Sequence, residues 1–180
     1  MKQLIKGFGL AVAVGMASAP ALGQSLGELE DLVAQIDYSE FNDEQKEIFC
    51  GEVRKVTDQM TEQLPIKIDP TTELYSATTI YVQGQCEINY QYMISEKPLF
   101  EMLQRVVSQQ GNQDVPMGFI QDYFGDGGEG FEQFKQGLRQ SLLSDQRFAD
   151  LVGVPFVVAE ARYQVMGDHM SDFSISFGKD

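Results

Sequence analysis

The two cysteines of this chain, Cys50 and Cys86, lie in segments of different hydrophobic period. A bond between them decides which elements must pack together. Around Cys50 the apolar residues Phe49, Val53, Val56, Met60 and Leu64 recur at helical spacing. Around Cys86 the period is two: Cys86, Ile88, Tyr90, Tyr92 and Ile94 share one face, and Glu87, Asn89 and Gln91 the other. Cys50 falls on the edge of its stripe, so a Cys50–Cys86 disulfide lays that helix on a strand. Closing a loop of this length contributes roughly 4 kcal/mol by chain-entropy reasoning. The alternative is a reactive thiol pair. Redox pairs stand two residues apart at a helix N-terminus, and these cysteines do neither.

The N-terminus places the chain in a compartment where such a bond persists. Lys2 and Lys6 precede an apolar run from Gly7 to Ala17 and then small residues, the pattern of a cleavable secretory signal. The run is shorter than the roughly 20 apolar residues of a membrane-spanning helix. Cleavage after Ala19 would leave Pro20 first, so cleavage after Gly23 is expected. Residues 1–23 then form the signal peptide and 24–180 a single domain, periplasmic or secreted. An even cysteine count fits a disulfide there. The signal removes two lysines and no acid, so the net charge moves from −14 to −16. That charge repels phosphate backbones and excludes nucleic-acid binding. It suits solubility or a basic partner. No later segment is apolar and long enough to span a membrane.

Period and punctuation give the remaining elements. Leu26, Leu29, Leu32, Val33 and Ile36 predict a helix over 24–38. Asn42 and Gln45 form a capping box for the Cys50 helix, which Pro65 ends. Leu74–Val82 and Cys86–Ile94 predict a hairpin. A three-residue loop, Gln83 to Gln85, would pair Val82 with Cys86, Ile80 with Ile88 and Leu74 with Ile94. A two-residue loop would pair Tyr81 with Cys86 and Tyr75 with Tyr92. The apolar pattern favours the first. Pro98 opens a helix carrying Leu99, Leu103 and Val106, which Gly111 stops. A short aromatic segment follows with Phe119, Ile120, Tyr123 and Phe124. Gly125 to Gly130 reads as a flexible loop. Phe131, Phe134, Leu138 and Leu142 make a further helix, extended by Phe148, Leu151 and Val152 after a break at Ser144. A second hairpin pairs Tyr163 with Phe173, Ala161 with Ile175 and Ala159 with Phe177 around a loop from Gly167 to His169. The expected fold is α+β: an antiparallel sheet of about four strands in two hairpins, with helices packed on one face.

The Cys50 helix runs into Leu64-Pro65, Asp69, Thr71-Thr72 and Leu74, and Tyr90-Gln91-Tyr92 follows on the hairpin. This resembles a group of small exported bacterial proteins of unknown function, in which a cysteine-bearing helix leads to such a segment and then a Tyr-x-Tyr strand. Those proteins often carry a second cysteine in their last helix and hairpin, and this chain has none there. The resemblance supports the fold and export and implies no activity.

The chemistry-bearing residues are few. His169 is the one histidine, placed in a hairpin loop with no obvious buried acid near it, so a nucleophile–histidine triad is not expected. The 125–130 loop lacks the Lys-Ser/Thr of a phosphate-binding loop, and its acids do not match calcium-loop spacing. Met166-Gly167-Asp168-His169-Met170 is more specific. In the expected register Met166 and Met170 face each other on the solvent side beside His169, a soft donor set suited to Cu(I). Tyr75, Tyr81, Tyr90 and Tyr92 form an aromatic group that either roofs a core or marks an interface. The expected function is a non-catalytic periplasmic accessory protein that binds another exported or envelope protein. The alternatives are a copper-binding protein through Met166, His169 and Met170, and a hydrolase with an acidic site around Asp122, Asp126 and Glu129.

Overall fold

The computed structural model of the chain describes residues 38–111 and 114–178. The expected signal peptide, its expected cleavage site and the helix expected over 24–38 lie outside them, apart from Tyr38, which opens a 3-10 turn, Tyr38–Glu40. Helix α1, Asp43–Thr61, starts at the expected capping box. Asn42 Oδ1 accepts from Gln45 N at 2.9 Å, and Gln45 Oε1 accepts from Asn42 N at 3.0 Å. Phe49, Cys50, Val53, Val56 and Met60 are buried along one stripe. The helix stops at Thr61, before Pro65, and Thr61 Oγ1 donates to the Ala77 carbonyl at 3.1 Å, tying the last turn to the sheet.

The sheet has five strands in sequence order: β1 Ile66–Lys67, β2 Thr72–Val82, β3 Gln85–Ser95, β4 Val157–Met166 and β5 Phe173–Gly178. Neighbours are antiparallel except β3 and β4, which run parallel with Cys86 opposite Val157. The antiparallel four-strand expectation is corrected on both counts. β1 adds a short edge strand through Ile66 and Leu74. The parallel pair follows from the crossover: α2 Glu96–Gly111, α3 Met117–Phe124, α4 Glu129–Ser144 and α5 Gln146–Val152 carry the chain back to the level where β3 began. A crossover of that length permits parallel pairing, which a tight turn does not.

The first hairpin also departs from the favoured register. Gln83 and Gly84, at φ 51° and 82°, form a two-residue turn that pairs Val82 with Gln85 and Tyr81 with Cys86. Positive φ at both central residues matches the twist of a hairpin. Ile80 thus faces Glu87 rather than Ile88. The physical reason is α1. Thr79 and Ala77 turn inward, where the Thr57 hydroxyl bonds Thr79 Oγ1 at 3.0 Å. Ile80 and Val82 are left 44% and 38% exposed. A bulge at Tyr75 then flips the strand, returning Leu74 and Thr72 to the core opposite Tyr92 and Ile94.

The expected disulfide is present: Cys50 and Cys86 are bonded and fully buried, with Cα atoms 5.4 Å apart. The second hairpin keeps its expected register at Tyr163↔Phe173, Ala161↔Ile175 and Ala159↔Phe177. Pairing stops there, however. Val165 N donates to Asp172 Oδ1 at 2.8 Å, so the connection from Gly167 to Asp172 is longer than expected and Met166 and Met170 are not cross-strand partners. Tyr92, Tyr163 and Phe173 stack across three strands, with ring centroids 4.9 and 4.7 Å apart. The break between α4 and α5 falls at Asp145, whose carboxylate caps α5 through Arg147 N and Phe148 N.

All described helices lie on the face that carries Cys86, Ile88, Tyr92, Ala159, Ala161 and Ile175. The opposite face has no described element over it. Its ranks, read across the strands, are Ser76, Gln91, Arg162 and Ser174, then Thr78, Asn89, Glu160 and Ser176, then Ile80, Glu87 and Val158.

Candidate functional site

Two regions gather polar or exposed groups in ways the core does not require. The first is the 167–172 connection. Glu96 opens α2 directly after β3, and the helix packing buries it to 5% exposure. Its Oε2 accepts from His169 N at 2.8 Å and Met170 N at 3.2 Å, and its Oε1 lies 2.7 Å from His169 Nδ1. Burial alone would raise the Glu96 pKa. The His169 N–H and ring, with the Met170 N–H, outweigh burial and hold it below its ordinary value. Gly167 is required beside it, because a Cβ there would overlap the Glu96 carboxylate. Asp126 holds the other side of the connection. It accepts from Ser171 N at 2.7 Å and from the Ser171 hydroxyl, while its own N–H donates to His169 O at 2.8 Å. Those Ser171 bonds lower the Asp126 pKa.

His169 therefore does have an acid partner, 73 residues upstream in sequence. The expectation that it lacked one is corrected. The signal was weak: Glu96 stands beside Lys97 at a helix start, where an acid ordinarily serves the helix dipole in solvent. Only its position between Ile94 and the buried pair Leu99-Phe100 hints at burial. With Nδ1 committed to Glu96, a neutral His169 ring offers Nε2 as an acceptor. Ser171 does not complete a triad, since its hydroxyl is given to Asp126.

The soft-donor residues do not share one environment. Met166 is 57% exposed at the end of β4, Met170 is buried at 4%, and His169 Nδ1 is engaged by Glu96. Among the described residues, no three His, Cys, Asp or Glu side chains are grouped to hold a metal ion. The stretch Gly125 to Gly130 is a packed turn over 125–128 that runs into the first residues of α4, rather than a flexible loop. A Cβ on Gly125 would meet His169 O at 2.8 Å, and Cβ atoms on Gly128 and Gly130 would overlap Tyr123. Asp122 and Glu129 are exposed, and Asp126 is spent on Ser171.

The second region is the open sheet face. Toward the β4–β5 end it holds a concavity of about 640 Å³ lined by Tyr75, Gln91, Glu160, Arg162, Gln164 and Ser174. Arg162 Nη2 and Nε donate to Glu160 Oε2 at 2.7 and 2.8 Å. The Arg162 guanidinium holds the Glu160 carboxyl below its ordinary range. Tyr75 OH donates to Gln164 Oε1 at 3.4 Å across the rim. Toward the β2–β3 turn the same face is aliphatic, with Ile80 and Val82 exposed and Val158 two strands away. Of the expected tyrosine group, Tyr90 and Tyr92 belong to the core face, Tyr81 OH donates to the Asp43 carbonyl at 3.1 Å, and only Tyr75 reaches the open face.

No protein-family model and no curated protein matches the chain. Among solved structures it is similar to a "putative secreted protein" of Pseudomonas aeruginosa, with 10% identity and a TM-score of 0.44 over 76% of this chain and 91% of that one. Among the described residues no helix is long and apolar enough to cross a membrane.

Proposed function

We propose that this is an exported, non-catalytic accessory protein that docks another exported or envelope protein on the aliphatic end of its open sheet face. The observation that carries the reading is the placement of Ile80 and Val82, exposed side by side on a face that no described helix covers. The two-residue turn puts them there, while small Thr79 and Ala77 take the core positions. Adjacent exposed aliphatics ringed by polar side chains are a common form of protein-binding patch. The buried Cys50–Cys86 disulfide supports export. The chain's charge of −14 favours a partner with basic groups around its contact, because opposite potentials speed encounter.

The test is capture of partners from an extract of native exported proteins by the tagged chain, compared with Ile80→Glu/Val82→Glu. Both side chains already face solvent, so the double variant should keep its circular-dichroism spectrum. A stoichiometric partner retained by the parent and lost by the variant is the expected result. Equal capture by both would overturn the docking site.

A further inference from the structure

We propose that the concavity at the other end of the open face binds an uncharged, polyhydroxylated ligand, a neutral oligosaccharide. The argument starts from charge. The chain carries −14, yet the concavity is close to neutral. Arg162 and Glu160 close on each other at 2.7 Å, and the remaining acid of the lining, Asp172, accepts from Val165 N at 2.8 Å. An anion would meet Glu160 and Asp172 with no free cation to receive it. A cation would meet the Arg162 guanidinium. An apolar ligand would find the rings of Tyr75 and the half-buried Phe173, with Tyr163 buried behind them, set among six polar or charged side chains.

A neutral ligand rich in hydroxyls suits what remains. Gln91, Arg162 and Ser174 stand in one cross-strand rank, with Gln164 in the next. Neighbouring strands lie about 4.8 Å apart, so these amide, guanidinium and hydroxyl groups repeat on a pitch close to the width of a sugar ring. Each amide both donates and accepts, as a hydroxyl does. The Arg162–Glu160 pair likewise presents donors and acceptor lone pairs together. Tyr75 supplies a ring at the rim on which a sugar face can lie. The volume of about 640 Å³ falls within the roughly 300–1,000 Å³ of ligand sites and exceeds one sugar unit. The adjacent rank, Thr78, Asn89, Glu160 and Ser176, carries polar groups for further units.

The site uses residues other than Ile80 and Val82, so it stands or falls independently of the docking patch. The experiment is a nuclear magnetic resonance titration of the isotope-labelled chain with tetra-N-acetylchitotetraose and, separately, cellotetraose. Expected are saturable shifts of the Gln91 and Gln164 side-chain amides and Arg162 Nε–H with at least one of them, at a Kd of about 1 mM or tighter. Gln91→Ala/Gln164→Ala should weaken binding at least tenfold and leave partner capture intact. Absence of saturable shifts with both sugars overturns the proposal. So do shifts confined to the helical side, or shifts unchanged in the variant. A Ser/Gln-rich peptide that shifts these same groups while neither sugar does would reassign the concavity to a polypeptide.

Discussion

Glu96 shows how one residue couples distant parts of the chain. Its carboxylate is buried, ionised by preference, and bonded to two backbone N–H groups and an imidazole of the 167–172 connection. Its folded pKa lies below the ordinary 4.5. A depressed carboxylate contributes stability that is present above the unfolded value and lost as pH falls through the folded one. Urea midpoints should therefore fall below about pH 4.5, and Glu96→Gln should flatten that slope. Asp126, Asp145 and Glu160 are also depressed, but they are common to both proteins, so the difference isolates Glu96. At neutral pH the variant should lose about 1–3 kcal/mol, the usual scale for bonds to a charged group. Equal slopes would mean that folding leaves the Glu96 pKa unshifted. Tyr163 makes the opposite prediction. Its hydroxyl is buried with no hydrogen-bond partner, so burial raises its pKa and the group contributes nothing polar to the fold. Tyr163→Phe should leave the melting temperature unchanged or raise it, within about 1 kcal/mol. A clear loss of stability would show that the hydroxyl is used.

Elements were legible where their cause is local. The Asn42–Gln45 capping box, the break near Ser144 and the small-against-large pairing of β4 with β5 all depend on residues a few positions apart or on one strand's alternation. The Cys50–Cys86 bond was legible because it is the sole pairing that two cysteines allow. The β2 register was not, because the side that faces inward is chosen by Thr57 and Thr61 of α1 rather than by β2's own apolar residues. The parallel β3–β4 contact and the Glu96–His169 pair were hidden for the same reason, since the sequence carries no local mark of contacts made across a four-helix crossover. Two element-scale outcomes follow. Cys50→Ala/Cys86→Ala should lower the unfolding free energy by about 4 kcal/mol, read from urea curves. A loss under 1 kcal/mol would show that α1 is held by packing alone. At the far edge, Arg139 Nη1 donates to the Ser176 carbonyl of β5 at 2.6 Å and its guanidinium lies 4.9 Å from the Phe177 ring. Covering an edge carbonyl guards against strand addition. Arg139→Ala should increase concentration-dependent self-association by light scattering, and an unchanged scattering curve would remove that role.

At the scale of the molecule, the described helices and the disulfide work on one side of the sheet and leave the other uncovered. A sheet exposed on one face ordinarily alternates apolar inward with polar outward. Here the outward face divides into an aliphatic end with Ile80 and Val82 and a polar concavity around Gln91 and Arg162. That division is what the account treats as functional, and hydroxyl-radical footprinting of the captured complex tests it most directly. The account predicts that Ile80 and Val82 lose reactivity on binding while Ile48 and Leu143, exposed on helices, keep theirs. Protection of Ile48 or Leu143 with Ile80 and Val82 still reactive would contradict it and move the working surface to the helical side.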